Sequence, residues 1–163
     1  MFCVISTLIS VVLTDSVMGV SLKVPEGWSV SQESMGPGLI LTSGEIKVEI
    51  DYQRVSGRGY TTIDVMRLNQ EDVREFLRGT EYQKTGETQE LNLPGGFAVK
   101  TRAARKRAGQ KTVAFILTGA WGFGERGTVE KLLRIRITRQ NSLKFTRDQE
   151  DRINQLLDGL GFF

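Results

Sequence analysis

Ile46-Lys47-Val48-Glu49-Ile50-Asp51-Tyr52-Gln53 alternates dry and wet side chains along its whole length. Successive side chains of a strand point to opposite faces, so this stretch predicts a strand with one buried and one solvated face, as in an antiparallel sheet. Just upstream, Leu39 and Leu41 repeat the period and Ser43-Gly44 closes it, which predicts a hairpin over 39–53.

Towards the N-terminus, Val20, Leu22 and Val24 alternate before the turn Pro25-Glu26-Gly27, and Trp28 and Val30 resume the chain. Towards the C-terminus, Ser56-Gly57-Arg58-Gly59 is a loop. Thr61 stands three residues before Asp64, a capping-box start, and Ile63, Met66, Val73, Phe76 and Leu77 follow at helical spacing until Gly79. The polar middle of this helix, Asn69-Gln70-Glu71-Asp72, suggests a kink or short break. Residues 81–93 are polar enough for an edge strand. Pro94-Gly95-Gly96 turns into two strands, Phe97 to Ala104 and Thr112 to Trp121, joined across Ala108-Gly109-Gln110. Val129 to Arg139 closes the sheet, with Leu133, Ile135 and Ile137 dry and Arg134 and Arg136 wet. Thr146 caps a last helix whose stripe is Ile153, Leu156, Leu157 and Leu160. Strands joined by short turns, with two helices among them, predict an α+β domain. Its sheet is mainly antiparallel, has about six or seven strands and is flanked by helices.

The chain has 163 residues, room for one domain. It contains no His and a single Cys, Cys3. The commonest general base and metal ligand are therefore missing, as are an intrachain disulfide and a thiolate zinc site. Any catalysis would have to rest on Asp, Glu, Tyr, Lys or Ser. The formal charge of +3 is small, so its distribution matters more than its total.

Residues 2–13 form an uncharged apolar run, followed by Asp15 and by Val17 and Gly19, small residues at the spacing a signal peptidase accepts. The run has the length of a leader's apolar core and is short for a membrane-spanning helix. Residues 1–19 are accordingly expected to be a signal peptide or an N-terminal anchor, with 20–163 the folded domain. A first core element is the plainer alternative. No Lys or Arg precedes the run. Cleavage after Gly19 would remove the only Cys, which suits an oxidising compartment outside the cytoplasm.

The order of elements, together with Leu22-Lys23-Val24-Pro25-Glu26-Gly27-Trp28, the strand pair 39–53, the helix near 62–78, the meander 81–139 and the closing helix running to Phe162-Phe163, resembles the PsbP-like superfamily. That superfamily includes extrinsic photosystem II subunits, a Ran-binding import factor and small bacterial exported proteins. The resemblance implies an antiparallel sheet between helices, an α-β-α sandwich, and a binding or assembly role without catalysis. It transfers no site residue, because no site motif matches.

The residues themselves offer several candidates. Lys100, Arg102, Arg105, Lys106, Arg107 and Lys111 lie close together in sequence. Arg134 and Arg136 join them on one wet face if the strands from 97 and from 129 both flank the strand at 112. Such a stripe would hold an acidic protein, another polyanion or anionic lipid headgroups. The plainer reading is a solvated hairpin tip whose cations guard strand edges. Nucleic acid is not expected, since no exposed aromatics interleave with the bases. Gly122-Phe123-Gly124-Glu125-Arg126-Gly127 fits G-x-G-x-x-G, but a strand pattern follows it where a dinucleotide site needs a helix, so a hairpin turn is the expectation. Trp28 and Trp121 are expected in the core rather than as a ligand platform. Glu45, Glu49 and Asp51 are expected on a solvated face rather than around a cation, and Phe162-Phe163 packed on the sheet. No cofactor and no metal is expected. The reading that results is an exported, non-catalytic binding or accessory module with a protein partner. A small-ligand carrier, for a lipid among others, with a pocket between sheet and helices is the alternative.

Overall fold

Every residue from 112 to 121 is buried, so this strand must be covered by a layer on each side. The computed structural model describes residues 3–7, 10–15, 19–32, 38–54, 60–93, 96–121 and 131–162. In chain order the elements are β1 (Cys3–Thr7), β2 (Ser10–Asp15), β3 (Val20–Val24), β4 (Ser29–Gln32), β5 (Leu39–Ser43), β6 (Ile46–Arg54), α1 (Thr62–Leu77), β7 (Tyr82–Leu93), β8 (Gly96–Arg107), β9 (Gln110–Trp121), β10 (Lys131–Gln140), α2 (Arg147–Asp158) and β11 (Leu160–Phe162). Seven strands form one antiparallel sheet in the order β4-β5-β6-β10-β9-β8-β7, with the doubly covered β9 inside it.

One face of β8 and β9 carries α1. Val73, Phe76, Ala103, Ala114 and Ile116 pack there, with Val65, Val99 and Ala120 beside them. The opposite face carries α2 and a second sheet in the order β1-β2-β3-β11. Leu13, Leu22, Val24, Val48, Ile50, Leu117, Leu133, Ile135, Ile153 and Leu156 share that core. Each such side chain contributes roughly 1.5–3 kcal/mol by leaving water.

The hairpin over 39–53 pairs Leu41 with Val48 and Leu39 with Ile50, all buried on one face. The capping box at Thr61 and Asp64 starts α1, and that at Thr146 and Gln149 starts α2. Residues 82–93 form an edge strand, as expected. Two points refine this fold and one expectation needs correction. The strand at Val20, Leu22 and Val24 belongs to the second sheet, because the tail after α2 returns as β11 and pairs with it, Leu160 opposite Leu22. A side chain at Gly159 would stand 2.3 Å from the Lys23 carbonyl oxygen, so only glycine allows that return. The layer opposite α1 is thus part helix and part sheet. Finally, the polar middle of α1 is no break, since the helix runs unbroken from 62 to 77.

The reason is Asn69. It is 1% exposed, and its amide donates to the carbonyls of Val99 and Ile116 and to the Thr118 hydroxyl at 3.0–3.2 Å. Its own carbonyl accepts from the Thr101 hydroxyl at 2.6 Å, and Thr101 meets Thr88 at 3.0 Å. One helix side chain therefore reaches β8 and β9 at once and, through Thr101, the edge strand β7. The polar run that looks like a weak point is a clamp.

The run 2–13 expected to be a leader lies largely in β1 and β2, and β2 pairs with β3, Leu13 opposite Leu22. Leu13 is 3% exposed in the shared core, so cleavage after Gly19 would take a core side chain with it. The glycine motif at 122–127 lies outside the described residues, as do Phe163 and the loop at 56–59.

Asn69→Ala strands buried acceptors and two threonines. The loss expected is about 2–3 kcal/mol, seen as a fall in Tm of roughly 5–10 °C in thermal unfolding.

Candidate functional site

Strand register decides which cations share a face. Arg102 lies opposite Phe115 and Lys100 opposite Leu117 across the β8–β9 pair, and Lys106 lies opposite Lys111. Opposed residues and their second neighbours share a face. Lys100, Arg102, Lys106 and Lys111 therefore point to the α2 side. Arg105 and Arg107 point to the α1 side. Arg136 lies opposite Ile116 and Arg134 opposite Thr118, which places both on the α1 side as well. Strands β8 and β10 do flank β9, as the sequence reading required, but the eight cations divide four and four between two faces.

On the α1 side most of the charge is already matched. The Arg105 guanidinium sits 4.2 Å from the Phe76 ring centroid and donates to the Phe76 carbonyl, one of the last carbonyls of α1. Such carbonyls lack a helical partner, so Arg105 closes the helix end. Burial, then Arg107 and Arg136, lower its pKa. Arg134 pairs with Asp72 at 3.4 Å and lies opposite Asp51 across β6–β10, and Arg136 lies opposite Glu49. These groups line a shallow cleft of about 270 Å³. Burial pushes the Asp72 carboxyl above its ordinary value, against the pull of Arg134, Arg136 and the Thr118 hydroxyl, with Glu71 adding to the rise.

The three acids singled out beside the hairpin are likewise engaged with cations or face one. Glu49 pairs with Lys47 at 2.8 Å, Glu45 with Arg139 at 3.1 Å, and Asp51 faces Arg134. Among the described residues no group of three or more Cys, Asp or Glu could hold a metal ion. Trp121 is 2% exposed in the core, and Trp28 packs against the same core.

The α2 side is different. A cleft of about 360 Å³ opens between β7, β8 and α2, lined by Gly86, Glu87, Gln89, Lys100, Arg102, Phe115, Glu150 and Asn154. Lys100 and Arg102 each stand 5.0 Å from the centroid of the Phe115 ring, whose stacked partner is Phe145. Arg102 pairs with Glu150 on α2. Lys100 is half-buried and makes no ion pair among the described residues. Burial lowers its pKa first, then the neighbouring Arg102, while Glu150 and Asp158 oppose. A register shift between Thr85 and Thr88 leaves Gly86 and Glu87 out of the ladder at the mouth of the cleft. A side chain at Gly86 would come within 3.3 Å of Arg102. Sequence reading found the two cations but missed Phe115, Glu150 and the bulge. Phe115 reads as a core residue, Glu150 as a helix-dipole acid, and a bulge in a polar strand breaks no hydrophobic pattern.

No family model and no curated protein sequence matches the chain. Solved structures share its fold, three of them as follows. Cyanobacterial PsbP (CyanoP) from Synechocystis aligns with a TM-score of 0.62 at 11% identity, over 98% of this chain and 95% of that one. LpqN of Mycobacterium tuberculosis, described as involved in cell envelope biogenesis, aligns with 0.61 at 15%, over 87% and 82%. The Ran-binding protein Mog1p of Saccharomyces cerevisiae aligns with 0.53 at 9%, over 96% of each. The fold is PsbP-like, as the short sequence motifs implied. At these identities the likeness establishes the fold alone. No described helix is long and apolar enough to cross a membrane.

Two substitutions test the account of the α1 side. Arg105→Glu removes the closing contact from α1 and is expected to lower Tm measurably, whereas Arg107→Glu, at the exposed tip, leaves it unchanged. Because the Asp72 pKa is raised on folding, its stabilising share is full below the ordinary carboxylate pKa and is lost as pH rises through its own higher value. Asp72→Asn is therefore expected to raise Tm at pH 7, with the gap to the wild type closing as pH falls through that window.

Proposed function

We propose that this chain is an exported, non-catalytic binding module that docks an acidic protein on the α2 side of the β8–β9 hairpin. The observation behind this reading is the register that sets Lys100, Arg102, Lys106 and Lys111 on one face. Lys106 and Lys111, directly opposed near the tip, make no ion pair among the described residues. Like charges placed directly opposite are unfavourable in a sheet unless an anion bridges them. The turn between the strands, Ala108-Gly109, has both residues at positive φ (49° and 78°) and holds the tip tight. The two opposed lysines are thus presented on a rigid hairpin.

The non-catalytic half of the reading rests on how the acids are engaged. Those of the hairpin face pair with or oppose basic side chains, and Glu150 holds Arg102. The carrier alternative finds little support. The space between the large sheet and its covering layers is filled by Leu, Ile, Val and Phe side chains, and the clefts that open at the surface are charged. Export rests on the sequence alone, on the apolar run at 2–13 with Val17 and Gly19 after it, a run that the fold places in β1 and β2 with Leu13 in the core.

Crosslinking in native cells tests the proposal, with photoreactive groups placed beside Lys106 and Lys111. A partner is expected to be crosslinked through a segment rich in Asp or Glu, in the envelope fraction. Lys106→Glu with Lys111→Glu is expected to reduce its recovery at least tenfold while Tm stays within about 1 °C. Undiminished recovery, or crosslinks to lipid alone, overturns the docking reading.

A further inference from the structure

The α2-side cleft holds a charge that the fold itself leaves unmatched. Arg102 and Glu150 neutralise one another. Glu87 sits at the exposed mouth, on the bulge of β7, where water screens it. Lys100 is left half-buried against the Phe115 ring, with Arg102 on the same ring and no carboxylate in ion-pair range among the described residues. Two like charges held against one aromatic ring repel, and their attraction to the ring offsets only part of that. Burying an ammonium without a partner is unfavourable, and a cleft that keeps one therefore works against its own stability.

The chemistry around Lys100 says what would complete it. Gln89 and Asn154 place amide groups along the walls, and the floor is the Phe115 ring. The ammonium supplies charge and the amides supply N–H donors, which together match a carboxylate and not a second cation. A volume of about 360 Å³ admits an amino-acid side chain with its neighbouring backbone, while a bulky lipid tail would find the ring and little else apolar.

We infer that this cleft is a carboxylate-binding site in which Lys100 is the anchoring cation and Arg102, held by Glu150, sets the entry angle. The inference rests on the docking reading for its natural ligand, an Asp or Glu side chain of the partner. The chemistry of the site is the same for a free carboxylate. Arg102 stays on Glu150 when the carboxylate enters, so the incoming anion binds mainly to Lys100 and to the amides of Gln89 and Asn154. Lys100 is thereby separated in role from Lys106 and Lys111. Those two attract an acidic surface from outside the fold, whereas Lys100 seats one group inside it.

The experiment is an NMR titration of the full chain with three probes: acetyl-Gly-Glu-Gly-amide, its Gln counterpart and acetate. Saturable shifts at the amides of Lys100, Gln89 and Asn154 are expected with the Glu peptide, and at least tenfold weaker ones with the Gln peptide. Lys100→Met, which keeps the apolar stem and removes the charge, is expected to abolish the shifts. The same variant is expected to raise Tm, because it removes a half-buried charge that has no ion-pair partner. A lowered Tm would make Lys100 a structural prop and overturn the inference, as would identical shifts with the Glu and Gln peptides.

Two further outcomes separate the site from the docking reading. If the Glu peptide moves only residues near Lys106 and Lys111, and does so equally in the Lys100→Met variant, the docking reading stands and the cleft inference fails. If acetate binds as tightly as the Glu peptide and partner recovery does not depend on Lys106 and Lys111, the carboxylate site stands and the docking reading fails.

Discussion

Strand β9 has no solvated face. Its residues from 112 to 121 are buried one after another, and each alternate set needs its own cover. On one side the cover is α1, on the other α2 with the small sheet. Small residues at Ala114 and Ala120 let α1 approach closely, while Phe115 and Leu117 fill the wider space on the other side. Much else follows from satisfying both sides at once. The neighbours β8 and β10 must each offer an apolar set to both layers near β9, and their polar residues are pushed to the margins of those layers.

That same constraint disposes the charge. A strand residue cannot choose its face independently of its neighbours, since a shift of one position turns every side chain over. Arg102 and Arg105 are three positions apart and so fall on opposite faces. One meets Phe115 and Glu150, the other the end of α1. What reads in sequence as one basic cluster is two sets of cations with different tasks. The α1 set is largely absorbed into the fold by Asp72, by Phe76 and by the acids of β6. The α2 set is less engaged, and its most enclosed member is Lys100.

Buried polar groups set the alignment between layers. Asn69 reaches strand carbonyls and threonine hydroxyls that α1 would otherwise leave without a helical partner. A fully satisfied network of this kind specifies one docking of helix on sheet, because sliding the helix by a turn would strand all of its members. A more exposed contact joins β10 to the segment before α2, where Arg139 donates to the Lys144 carbonyl at 2.9 Å while pairing with Glu45.

The individual elements were legible in the chain itself. Period two over 46–53 and 129–139, the boxes at Thr61 and Thr146 and the short turns are local signals, written by residues within a few positions of one another. They determine the class, the main hairpins and the ends of both helices, and the short motifs around Trp28 carry the PsbP-like resemblance. Three things were decided only by tertiary structure. The strand at 20–24 joined a second sheet because residues beyond α2 returned to pair with it. Asn69 turned inward because acceptors on β8 and β9, far along the chain, met it there. The basic cluster divided because strand parity and the positions of α1 and α2 together assign each cation its surroundings. Period and propensity act over a turn or two of chain, whereas the partner of a side chain is fixed by whichever distant segment packs against it.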